Sequence, residues 1–136
     1  MKTTRQALGR WGESLAADYL VERGYTILER NARTPYGEID LVAHLDCDQG
    51  AANQSDPTAP QFVVVFVEVK TRSSTAFGLP EAAVSARKQA HILAAAQAYL
   101  QAHPDLGDDW RVDVIAIQRS KTGDQPVITH FENAVS

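Results

Sequence analysis

A glutamate and a lysine two residues apart, Glu68 and Lys70, close the run Phe62-Val63-Val64-Val65-Phe66-Val67-Glu68-Val69-Lys70. A run this apolar and this rich in β-branched and aromatic residues reads as a strand buried on both faces. Alternation sends Phe66, Glu68 and Lys70 to one face, and Val67 and Val69 to the other. A carboxylate and an ammonium therefore leave the end of a core strand side by side, where charge is costly unless paired or bound. Asp40 lies near one end of a neighbouring predicted strand. If the two strands pair antiparallel, the Glu38/Asp40 end comes near the Glu68/Lys70 end, with opposed Cβ atoms about 4.5–5.5 Å apart. Two ionised carboxylates at ~5 Å repel by roughly 3 kcal/mol at an effective dielectric near 20. A hard divalent cation such as Mg²⁺ turns that repulsion into coordination, because it takes a few carboxylates plus waters and substrate phosphates. Lys70 is then placed to stabilise charge on a phosphoryl centre or to help deprotonate an attacking water. The competing reading is a solvated strand end, its Glu–Lys pair worth ~0–1 kcal/mol.

Other candidates are weaker on the residues alone. Glu13 reads as a solvated helix carboxylate beside Arg10 and Gly12. Asp113 alternates with Arg111 and reads as an ion pair at a strand start. His44, His91, His103 and His130 have no metal-ligand spacing and are assigned no chemistry. The chain has no Gly-rich phosphate loop, and no Ser or Cys in a nucleophile-elbow context, so nucleotide hydrolysis and acyl transfer are poorly supported.

These residues must be held by a fold of order helix, strand, strand, strand, helix, strand, strand. Leu8, Trp11, Leu15, Ala16, Tyr19 and Leu20 recur at helical spacing, with Thr3 or Thr4 as the N-cap and Gly24 as the stop. Strands are expected at Tyr25 to Asn31 and Glu38 to Leu45, joined by the turn Thr34-Pro35-Tyr36-Gly37. Residues 46–60 read as an exposed, flexible loop, and Thr71 to Leu79 as a polar one. Pro80 fits the first turn of a long helix from Glu81 to about Ala102, broken near Ser85 and ended by His103-Pro104, with Val84, Ile92, Leu93, Ala96 and Leu100 on its apolar stripe. Strands at Trp110 to Gln118 and Val127 to Phe131 flank the turn Lys121-Thr122-Gly123-Asp124. Three strands can meander antiparallel, and the long helix then crosses over to a fourth strand parallel to the third.

At 136 residues the chain reads as one domain, 1–136, with a single core. No stretch approaches a membrane span, the N-terminus lacks a signal-peptide core, and Cys47 has no partner thiol, so the expected location is cytoplasmic, without membrane partners. The net charge of −4 argues against coating nucleic acid through bulk positive charge. Basic residues cluster nonetheless, at Lys2, Arg5, Arg10, Arg23, Arg30 and Arg33, and again at Arg72, Arg87 and Lys88.

Several motifs occur together: Gly9-Arg10-Trp11-Gly12-Glu13, Gly24-Tyr25, Arg30-Asn31, Gly37-Glu38-Ile39-Asp40-Leu41-Val42-Ala43, Phe66-Val67-Glu68-Val69-Lys70-Thr71-Arg72, Phe77-Gly78 and Arg111-Val112-Asp113-Val114-Ile115-Ala116-Ile117. In combination they resemble the YraN family of small bacterial proteins, from about Gly9 to Ile117. That family in turn resembles the PD-(D/E)XK nuclease superfamily, especially archaeal Holliday-junction resolvases. The resemblance implies an α/β restriction endonuclease-like core, a mixed β-sheet flanked by helices in the order α-β-β-β-α-β-β. It matches Asp40 and Glu68 to the metal-binding carboxylates, Lys70 to the catalytic lysine, and Glu13 to the helix-borne glutamate that completes the metal site. The carbonyl of Val69 is a further ligand by the same resemblance. Lys88 stands where family members carry lysine and is either a phosphate contact or a solvated position on a helix face. The 46–60 loop is longer and more acidic than the resemblance leads one to expect.

The expectation is thus a Mg²⁺- or Mn²⁺-dependent endonuclease hydrolysing DNA phosphodiester bonds, in branched or structured DNA. Arg10, Arg33 and Arg72 would grip phosphates, and by analogy with resolvases the protein would work as a homodimer. Two alternatives stand beside it. One is a catalytically silent nucleic-acid-binding or protein-interaction module on the same fold. The other is an adaptor in which Glu68 and Lys70 form only an ion pair.

Overall fold

The computed structural model describes residues 5–46, 62–72, 86–119 and 125–135. The N-cap threonines, almost all of the 46–60 loop, the 73–85 segment with Pro80 and Val84, and the Lys121–Asp124 turn lie outside the described residues. The elements are α1 (Arg5–Glu22), β1 (Tyr25–Thr34), β2 (Gly37–Asp46), β3 (Phe62–Arg72), α2 (Ala86–Ala102), β4 (Trp110–Gln118) and β5 (Val127–Val135). This is the mixed α/β order expected from the sequence. The five strands form one sheet in sequence order. β1, β2 and β3 meander antiparallel, α2 crosses over to β4 parallel to β3, and β5 returns antiparallel to β4.

The two helices cover opposite faces of the sheet. Ala16, Ala17 and Leu20 of α1 pack on Leu41, Ala43, Val65, Val67, Ile115 and Ile117. Ala95, Ala96 and Tyr99 of α2 pack on Val42, Val64, Phe66, Val112 and Val114. Alternate residues of β3 therefore enter two different cores, which is why the run reads as apolar throughout. Trp11 does not follow its predicted stripe and is 36% exposed on α1.

Local chemistry sets the ends of the elements. Gly24 stops α1 at φ 91°, a left-handed conformation that favours glycine. The β1–β2 turn is tied by Thr34 Oγ1, which accepts the Tyr36 N–H at 3.1 Å and donates to the Gly37 carbonyl at 2.7 Å. β5 runs four residues past the expected Phe131. A bulge opposite Val112 and Val114 accommodates the extension, with Asn133 at φ 50°. Buried Asp113 holds that bulge by accepting the Asn133 N–H at 2.8 Å. Asp113 also receives Arg111 Nε at 3.0 Å, as the sequence led one to expect, and faces His130 Nε2 at 2.7 Å. None of the described helices is long and apolar enough to cross a membrane.

Candidate functional site

The last paired residues of β2 and β3 are Leu41 and Val67. Asp40 and Glu68 are the next residues along, where the two strands part. With no ladder partner from β2, the Val69 N–H donates instead to Asp40 Oδ2 at 2.8 Å. Glu13, Asp40, Glu68, Val69 and Lys70 line one cleft of about 410 Å³, together with Leu8, Gly9 and Thr71. Five of the expected site residues are thus brought together from three elements.

The approach of α1 depends on a glycine. A Cβ at Gly12 would overlap Thr71 Oγ1 and press on the Thr71 Cβ and Cγ2 at 3.0 Å. Any larger residue would hold the helix away from β3, and Glu13 would move with it.

The charges in the cleft are unevenly balanced. Burial, and then the neighbouring Glu68 charge, push the Asp40 carboxyl up to about 7, against the opposing hydrogen bond from Val69. Burial also raises Glu13, with Glu38 and Glu68 adding to the effect. The side-chain amide of Asn31 opposes this rise: oriented with its nitrogen toward the two carboxylates, as their chemistry requires, it donates to Glu13 Oε2 at 3.2 Å and to Glu38 Oε1 at 2.9 Å. On the basic side, Lys70 and Lys88 share Glu68 Oε1 at 3.5 and 3.4 Å. Glu68 and Lys70 are largely enclosed, with side chains 14% and 17% exposed. Burial lowers the Lys70 ammonium below its ordinary range, and the adjacent Lys88 lowers it further. Lys88, although burial works against its charge, is held above its usual value by Lys70 and Glu68.

The remaining candidates sit around the cleft rather than in it. Arg10 is exposed one turn before Glu13, and Arg33 is exposed on β1 opposite Glu38. Arg72 continues the Glu68–Lys70 face, and its buried Nε has no hydrogen-bond partner among the described residues. Asn31 was missed by sequence reasoning. Its signal is an asparagine inside a strand, at φ 53°, a conformation that asparagine tolerates better than most residues.

No group of three or more His, Cys, Asp or Glu side chains among the described residues is drawn together tightly enough to cage a metal ion. The donor chemistry still fits a hard cation. Mg²⁺ needs only one or two carboxylates, completing its shell with water and phosphate oxygens.

The model of the family described as "Uncharacterised protein family UPF0102" matches residues 12–117, a span that runs from the Gly12 contact to the end of the β4 core. The chain belongs to the UPF0102 family. A UPF0102 protein of Syntrophotalea carbinolica is 42% identical over 134 residues, 98% of this chain and 95% of the relative. One from Syntrophomonas wolfei is 46% identical over 110 residues, 81% of this chain and 83% of the relative. One from Trichlorobacter lovleyi is 44% identical over 129 residues, covering 95% and 90%. UPF0102 is the YraN-like family that the sequence motifs resemble. The matched span includes Glu13, Asp40, Glu68, Lys70 and Lys88.

Proposed function

We propose that this UPF0102 protein is a divalent-metal-dependent phosphodiesterase acting on DNA, with branched or structured DNA as its substrate. The carrying observation is the convergence of Glu13, Asp40, Glu68 and Lys70 on one cleft at the parting of β2 and β3. The mixed α/β order agrees with the restriction endonuclease-like reading of the sequence.

Asp40 and Glu68 would hold Mg²⁺ or Mn²⁺, with Glu13 and the Val69 carbonyl assisting. The cation, when bound, supplies Lewis-acid stabilisation of charge developing on the phosphoryl oxygens. The rest falls to side chains. Lys70, its ammonium lowered by burial, takes the proton of the attacking water or places positive charge beside the pentavalent phosphorus. Lys88 steadies the Glu68 carboxylate from α2. Arg72, which continues the Glu68–Lys70 face and whose Nε has no hydrogen-bond partner among the described residues, would take a phosphate oxygen through the outer nitrogens of its guanidinium. Symmetric cutting of a four-way junction would need two copies of the chain.

The test is cleavage of Holliday junctions, flaps, single strands and linear duplex in Mg²⁺ and in Mn²⁺, with Lys70→Ala beside the wild type. Cleavage of one DNA structure, abolished by Lys70→Ala, is the expected result. Cleavage that Asp40→Ala and Lys70→Ala leave unchanged would sink the reading. A second reading, a binding module without turnover, is favoured by the engagement of both lysines with Glu68. It predicts DNA binding with no cleavage in either metal.

A further inference from the structure

Glu68 borders a second concavity. On the α2 side, a pocket of about 190 Å³ is enclosed between the first turns of α2, the β1–β2 turn and the end of β3, with Glu68 and Lys88 in its wall. Its floor is apolar, made by Ile39, Phe66, Ile92 and Ala95. Its rim carries Tyr36, 57% exposed, together with the exposed Glu38 and His91.

The pocket's size and composition narrow its occupant. Whole small-molecule sites occupy roughly 300–1,000 Å³, so this space suits one flat ring system rather than a complete nucleotide. An apolar floor with an exposed tyrosine at the lip suits an aromatic face. A carboxylate at the rim suits an amino group on the edge of that ring, as carboxylates accept from the cytosine amino group. The position of the pocket supplies the last constraint. Lys70 and Lys88 meet at Glu68, so a phosphate drawn to this pair leaves its attached sugar and base within reach of the pocket mouth.

We infer that this pocket receives one unstacked base, carrying an exocyclic amino group, from the nucleotide whose phosphate enters the cleft. The inference rests on the phosphodiesterase reading and extends it. The preferred substrate has an unpaired base at the cut site, because a base held in a duplex cannot enter the pocket without being flipped out of the stack.

Binding tests this without turnover. The probes are a fluorescein-labelled five-residue oligodeoxycytidine and the same backbone built from abasic tetrahydrofuran residues, in Ca²⁺, read by anisotropy. The proteins are the wild type, Ala95→Leu, which fills the floor, and Tyr36→Ala, which removes an exposed rim residue with little risk to folding. The wild type should bind the abasic strand about tenfold more weakly, near the low end of what one stacked base contributes. Both variants should bind the two strands within twofold of each other. Equal binding by the wild type, or discrimination retained in both variants, overturns the base pocket and leaves the nuclease reading standing. Failure to bind either strand overturns the pocket; if a labelled four-way junction is still bound in Ca²⁺ the nuclease reading stands, and if the junction is not bound either, both fall.

Discussion

Asp40 accepts the Val69 N–H at 2.8 Å at the point where the β2–β3 ladder ends. One carboxylate thus closes the sheet and opens the cleft. The bond ties Asp40 to the residue between Glu68 and Lys70, so the three charged groups share one rigid backbone frame. A site held by strand ends in this way keeps its spacing better than one carried on loops.

Asp40 titrates near 7 when folded, against an ordinary value of 3.8, with burial the main cause and Glu68 the next. Between those two values the folded state holds a proton that the unfolded state has lost. Stability of the metal-free protein should therefore fall as pH rises from about 4 to 7, by at most about 1.4 kcal/mol per unit from this group. Urea denaturation across that range should show the decline, and Asp40→Asn should flatten it. Mg²⁺ should raise the melting temperature more at pH 8 than at pH 5.5. A wild-type slope identical to that of Asp40→Asn would refute the assignment.

Removing Lys88 removes a like charge from beside Lys70. The Lys70 ammonium should then lose its proton less readily, because Lys88 is one of the groups that lower it. If neutral Lys70 takes the proton of the attacking water, Lys88→Met should move the alkaline-rising limb of the pH–rate profile to higher pH. A fall in rate with no movement of that limb would show that Lys88 does not tune Lys70 and acts through Glu68 or phosphate instead.

Two glycines on α1 should respond in opposite directions. At Gly9 a Cβ would meet nothing within 4 Å, whereas at Gly12 the space is filled by Thr71. Gly9→Ala should stabilise by about 0.5–1 kcal/mol through helix propensity and reduced unfolded-state entropy. Gly12→Ala should destabilise by about 1–3 kcal/mol and weaken Mg²⁺ binding as Glu13 moves outward. Calorimetry of both variants, with and without the metal, separates the two effects. Equal melting temperatures would argue against the close contact.

Asp113 offers a control for stability without chemistry. It is fully buried, and although burial alone would raise its carboxyl, bonds from His130, Arg111 and the Asn133 N–H hold it below the usual range. Asp113→Ala takes from Arg111 its buried carboxylate partner, leaving it Tyr25 and Glu132, and frees the β5 bulge, and should cost about 3 kcal/mol in urea denaturation. Metal affinity measured on the folded fraction should be unchanged, because the partners of Asp113 lie on β4 and β5, whereas the cleft is built from α1, β2 and β3. The Asp113 contribution is complete above its unfolded value and is lost as pH falls through its lowered folded one.

What the sequence disclosed follows from how local each signal is. β3 was legible because its apolar run from Phe62 to Val67 is uninterrupted, β4 because Val112 and Val114 to Ile117 are apolar around the single Asp113, and α1 because Gly24 marks its end. The extension of β5 was not, since its bulge is held by Asp113 from another strand. The carboxylate–lysine pair of β3 was legible from alternation alone, and Asp40 from an antiparallel pairing that the short β1–β2 turn and the β2–β3 ladder bear out. Glu13 needed the family resemblance, since a single helix carries no hint of which strand end it will meet. The bond from Lys88 to Glu68 and the bridge from Asn31 to Glu13 and Glu38 join distant parts of the chain, and no window of sequence reports them.

β3 sends alternate residues into two separate cores, and this binds the protein's chemistry to its foldedness. A slip of one residue against β2 and β4 would turn Glu68 and Lys70 toward the α1 core and swing Val67 and Val69 to the opposite face. A one-residue slip cannot misplace the charged pair and leave the two cores filled. Substitutions along β3 should therefore lose solubility and activity together, and a soluble but inert variant is to be sought at the strand's charged end.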